Sequence, residues 1–161
     1  MTSFGTCMIS GLISTTILFG QSLRVPPSRA DVKTPGVFTL TIDSPPGKAP
    51  VALQWKFSVP PVIAINTSEI TTGKAAQSAQ KTITCATIAT KPAMTRRVKY
   101  ACILAGGQNP IGDGPVAVVP YRVQWDAKGV QIRVAVENIL GASADLKLIQ
   151  IPSVDEIIEI Q

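Results

Sequence analysis

Cys85 and Cys102 are the residues of this chain with the clearest chemistry open to them, because each falls at an inward position of a strand-like segment and the two segments are joined by a polar turn, Thr90 to Arg97. In an exported chain that arrangement reads as a disulfide, worth on the order of 3 kcal/mol by the loop-entropy estimate. Two buried free thiols are the alternative. A metal site is disfavoured because the chain contains no histidine at all. That absence also removes the commonest general base and the usual serine- and cysteine-hydrolase arrangements. Four late acids, Asp145, Asp155, Glu156 and Glu159, come with no sign of the cleft that paired glycosidase carboxylates need, so they read as solvated. Asn109 and Asp113 in a glycine-rich loop, with Asp126 in the next turn, could offer oxygens to calcium. They lack EF-hand spacing, and tight turns select the same residue types. Trp55 and Trp125 are the candidates for stacking a sugar ring, but Trp55 shares its face with Val51, Leu53 and Phe57, which favours the core; Trp125, at a strand end beside a turn, is more open, with the core still the favoured reading. Arg96, Arg97 and Lys99 form the one short basic cluster, and a solvated turn explains it better than a nucleic-acid surface, which needs a basic face with interleaved aromatics.

The elements that must carry these residues are strands. From Ala49 to Ser58, Val51, Leu53, Trp55 and Phe57 alternate with Ala52, Gln54, Lys56 and Ser58, a period of two that buries one face. Phe38, Leu40 and Ile42 repeat the pattern, as do Val98, Tyr100, Cys102 and Leu104, then Ala117 to Trp125, then Val130 to Val136. Asp126 to Gly129 reads as the tight turn of a hairpin between the last two. Ser22 to Val25 reads as an edge strand stopped by Pro26 and Pro27, Ser28 to Pro35 as a polar connection, and Thr71 to Gln80 as a loop with at most one helical turn. Leu148 to Ile151 and Ile157 to Ile160 close the chain as a strand pair or one interrupted strand. About nine strands with Pro and Gly turns between them, and no crossover helix, predict an all-β chain: two packed antiparallel sheets of a β-sandwich.

The totals agree. A chain of 161 residues with 16% charged residues and abundant Thr, Val and Ile suits one sheet domain. Gly5 to Gly20 carries no charge and is too short for a confident membrane span. It is expected to be a secretory signal cut near Gly20 or Ser22, or an apolar anchor, though it lacks the basic residue that precedes such a signal; a buried first strand is the other reading. The domain would then span residues 21–161, outside the cytoplasm.

The order Pro35–Gly36 opening a strand, VALQWKFSVPP from Val51, TTGKAAQSAQKTITCA from Thr71 and YACILAGGQNPIGDGPVAVVPYRV from Tyr100 resembles bacterial cohesin-like domains, especially the secreted variety with two cysteines. The resemblance covers nearly all of Leu23 to Ile160 and implies a nine-stranded jelly roll, related to carbohydrate-binding modules, that is non-catalytic and binds a protein, in well-known members the calcium-loaded dockerin. The chain departs from the family at Pro120, where a ladder donor is usual and where an edge or bulge is therefore expected, and at Gln80, where glycine is usual. No contact residue of the family maps onto a position here, and a single module without repeats does not resemble a scaffoldin. The expectation is a secreted or cell-surface binding module, without cofactor, nucleic-acid partner or membrane span in the mature domain. Gln54, Lys56, Gln131 and Arg133 are the candidates for a polar face that meets a protein partner. A polysaccharide is the second partner considered.

Overall fold

The computed structural model describes residues 20–26, 28–30, 34–89, 97–124, 129 and 131–160. In chain order the strands are β1 Ser22–Arg24, β2 Ser28–Ala30, β3 Gly36–Asp43, β4 Ala52–Val59, β5 Ile63–Ala64, β6 Thr71–Thr72, β7 Thr82–Ile88, β8 Val98–Ala105, β9 Gly114–Val123, β10 Gln131–Ala142, β11 Leu148–Ile151 and β12 Val154–Ile160. A 3-10 turn, Thr67–Glu69, and one short helix, α1 Lys74–Ser78, are the helical pieces described. The strands exceed the nine expected because proline and glycine cut the chain into pieces of two to four residues that still pair.

The five-stranded sheet runs β1-β3-β9-β5 with β6 also on β9, and the seven-stranded sheet runs β2-β12-β10-β4-β8-β7 with β11 on β10. Leu53, Trp55 and Phe57 of β4, Phe38, Leu40 and Ile42 of β3, and Ile132, Val134 and Val136 of β10 are all at most 2% exposed. Each such side chain contributes roughly 1.5–3 kcal/mol by leaving water. Phe57 stacks on Tyr100 at 4.8 Å and meets Phe38 edge-on at 5.8 Å, so rings from both layers lock the middle of the sandwich. Val51, expected in that row, is half-buried at the bend before β4.

Several pairings differ from the sequence reading. β9 and β10 form no hairpin: β9 pairs with β3, β5 and β6, β10 with β4, β11 and β12, and the chain between them changes sheets. The polar connection after Pro27 contains β2, which lies parallel to β12, Ser28 beside Ile158. Pro120 sits in an inner strand, opposite Val37, and on its other side between the residues registered with β5 (Arg122, Val123) and those registered with β6 (Ala117, Val118). The gap between those two short strands accommodates a residue without an N–H, so neither an edge nor a bulge is needed there. β11 and β12 both pair with β10, one strand interrupted at Pro152 and Ser153. Opposite the break, β10 is irregular between Glu137 and Leu140, and Asn138 has φ 53°. Gly36 is required by packing: a Cβ there would lie 2.3 Å from the Tyr121 ring.

Candidate functional site

Gln54, Lys56, Gln131 and Arg133 all point outward from the seven-stranded sheet, because their neighbours Leu53, Trp55, Ile132 and Val134 fill the core. β4 and β10 are directly paired, with Lys56 opposite Glu137 and Gln54 opposite Leu140, so the four share one surface. The register extends that surface in rows: Thr84, Ile103, Gln54, Leu140 and Gln150 in one, Ala86, Ala101, Lys56 and Glu137 in the next.

The surface has two ends of different chemistry. Ile103 is 54% and Leu148 67% exposed, and with Gln54, Leu140 and Ala142 they line a shallow open depression. A further aliphatic, Ile157, is 44% exposed beside Arg133. At the other end the Arg97 guanidinium lies over the buried Ser58. It donates from Nε to Ser58 Oγ at 3.0 Å, and from Nη2 to the carbonyls of Ser58 and Arg133, each at 2.6 Å. The cluster expected as a solvated turn is therefore, at Arg97, a strap across β4 and β10; Arg96 lies outside the described residues. Burial pushes the Arg97 pKa below its usual value, opposed by the nearby Asp155 carboxylate. Arg133 pairs with Asp155 at 3.6 Å, both groups more than half exposed, which makes this a weak contact.

The other candidate residues are not gathered into a site. Trp55 is 1% exposed and belongs to the core, which removes it as a sugar platform, and Trp125 and Asp126 lie outside the described residues. Asn109 donates to Gln80 Oε1 at 3.4 Å, while Asp113 accepts the Ser44 N–H at 2.6 Å and fastens the turn before Pro45. Asp145 is held in its own turn by Ser143 Oγ at 2.5 Å and Lys147 Nζ at 2.6 Å. Glu156 is half-buried and Glu159 exposed. Among the described residues no three acids, cysteines or histidines converge as metal ligands, and no helix is long and apolar enough to cross a membrane.

Cys85 and Cys102 are bonded as a disulfide joining β7 to β8, at directly opposed positions with Cα atoms 4.1 Å apart. Sequence reasoning missed Ile103, Leu148 and Ile157 as surface residues, although the phase of β8 announces the first. With Cys102 and Leu104 inward, Ile103 has only the outside left.

No family model and no curated protein matches the chain. Solved structures do match in fold. The cohesin–dockerin complex of type I from Clostridium thermocellum contains a chain that aligns with TM-score 0.68 at 12% identity, over 88% of this chain and 99% of that one. The cohesin module of a family 33 glycoside hydrolase from Clostridium perfringens aligns with TM-score 0.65 at 13% identity, over 88% and 96%. A non-cellulosomal cohesin from the archaeon Archaeoglobus fulgidus gives 0.63 at 13%, over 88% and 91%. With this much of both chains superposed, the chain has the fold of the cohesin modules.

Proposed function

We propose that this chain is a secreted or cell-surface module that binds a protein through the outer face of its seven-stranded sheet and catalyses nothing. The observation that carries the reading is the composition of that face: exposed Ile103, Leu148 and Ile157 beside Gln54, Lys56, Gln131 and Arg133, on strands that the core holds rigid. Exposed aliphatic side chains beside charges of both signs on one surface are the chemistry that protein-binding surfaces use. Several of the structures similar in fold are described as cohesins in complex with dockerins, which makes a dockerin-type module the first partner to try. The disulfide supports an oxidising compartment, and residues 1–20 are proposed as the export signal or anchor.

The test is capture of a partner from the producing organism's secretome on the immobilised chain, followed by affinity measurement with variants. Ile103→Asp and Lys56→Glu are expected to weaken binding at least tenfold, while Val37→Asp, on the other sheet and 48% exposed, leaves it unchanged. Capture of nothing above background, or an affinity indifferent to the first two changes, overturns the proposal.

A further inference from the structure

The edges of the two sheets are unequal. β1 has three residues, carries Arg24 paired with Asp43 and is followed by Pro26. β5 and β6 have two residues each, β2 has three, and β11 has four and stops at Pro152. Short length, charge and proline are the devices that keep sheet edges from pairing with other chains. β7 has none of them: seven residues, TITCATI, without a charge, a proline or a bulge. The lysine just before it does not guard it, since the Lys81 ammonium is drawn inward to the carbonyls of Gly106 at 2.6 Å and Gly107 at 3.0 Å and the residue is 4% exposed.

The free side of this strand can be assigned. Opposed residues of an antiparallel pair whose Cα atoms lie near 4.5 Å do not bond each other, and those near 5.5 Å do. At 4.1 Å, Cys85 and Cys102 are of the first kind, so the N–H and C=O of Cys85, and by alternation those of Ile83 and Thr87, point away from β8. Among the described residues nothing accepts or donates there. The 3-10 turn Thr67–Glu69 and β6 both pack near β7, but neither exchanges a backbone hydrogen bond with it.

We propose that β7 pairs antiparallel with β7 of a second copy of this chain, about a two-fold axis through Cys85. That register alone sets Ile83 against Thr87, Cys85 against Cys85 and Thr87 against Ile83, so that every outward-pointing group of the strand exchanges bonds with its counterpart. It keeps core-facing positions opposite core-facing ones, and it sets the exposed Thr84 against the small Ala86. Although the whole chain carries a net charge of +5, this strand is uncharged. Lys99, which flanks Ile88 on β8, comes level with the partner's Thr82 and not with another cation. The disulfide ties β7 to β8, so the template strand cannot peel off to swap. One strand pair buries less than a standard interface of roughly 1,600 Å², so the dimer forms at micromolar concentrations and not below.

The test is sedimentation equilibrium of the full chain over a wide micromolar range, with amide hydrogen exchange at low and high concentration. Expected are a monomer–dimer equilibrium and slowing, on concentration, of the Ile83, Cys85 and Thr87 amides but not of other edge amides. Thr87→Pro removes an outward N–H without touching the β8 ladder and is expected to weaken the dimer at least tenfold. Should that variant misfold, Ala86→Lys, which brings two like charges near the axis, is to do the same. A chain that stays monomeric throughout, amides protected equally at every concentration, or a dimer that neither substitution weakens would overturn the proposal.

Discussion

Gln80 follows the short helix with φ 58°, a left-handed conformation that costs a residue with a side chain roughly 1–2 kcal/mol and glycine almost nothing. Gln80, where the resemblance in the sequence leads one to expect glycine, is therefore a strained residue, and a long 3.4 Å bond from Asn109 is all that its side chain accepts. Gln80→Gly is expected to stabilise the fold by about 0.5–1 kcal/mol, the gain being trimmed by the extra freedom of the unfolded glycine; chemical denaturation checks it, and a lower midpoint contradicts it. Asp145 bears a pH prediction. Hydrogen bonds from Lys147 and then from Ser143 hold its carboxyl at about 2, below the ordinary 3.8. A carboxyl depressed on folding lends its stabilisation in full above its unfolded value and loses it as pH falls through the folded one. Carboxyl-carbon NMR is thus expected to show a midpoint near 2 that rises when Lys147 is changed to Ala; a midpoint near 4 in the unaltered chain rules this out. The Asp145 and Lys147 side chains are open to solvent, so added salt is expected to move the midpoint upward as well.

At the scale of elements, periodicity in the sequence reveals the strands and hides their partners. The alternation of Phe38, Leu40 and Ile42 or of Ile132, Val134 and Val136 needs only local side-chain chemistry to be read, and the structure buries each of these residues. Pairing is a property of distant segments. A short turn-rich stretch serves a hairpin and a hop between two layers about 10 Å apart equally well; Asp126 to Lys128 lie outside the described residues, and the strands on either side, β9 and β10, belong to different sheets. For the same reason the outward residues of β4 and β10 were recognisable one strand at a time, whereas their union in one surface depends on a ladder between segments far apart in sequence. β7 also gives a prediction at this scale. It pairs with β8 alone, and the Cys85–Cys102 bridge closes a loop of 17 residues. Reduction, or replacing both cysteines by alanine, is expected to cost about 3 kcal/mol and to speed amide exchange in β7 while β4 and β10, paired on both sides, stay protected. Equal loosening of all these strands contradicts that ordering.

Across the whole molecule, the core joins both sheets through Phe38, Phe57, Tyr100 and Tyr121, whereas the surface proposed for the partner draws on one sheet alone. The disulfide, the Arg97 strap and the inward Lys81 each fasten the seven-stranded sheet at a different place, so that sheet is held stiff where recognition is proposed. Of that bracing only the disulfide was visible in advance. The Arg97 strap and the Lys81 contacts run to backbone carbonyls, whose positions no residue type announces.

The alternation of side chains along β4 and β10 also has an evolutionary consequence. Most of the outward residues, Gln54, Lys56, Gln131 and Arg133 among them, face water and take no part in the core, so mutation can rewrite those positions while leaving the interior untouched. Chains only 10–14% identical to this one can therefore share its fold, since the inward half of each strand is enough to hold the scaffold and the other half is free to specialise.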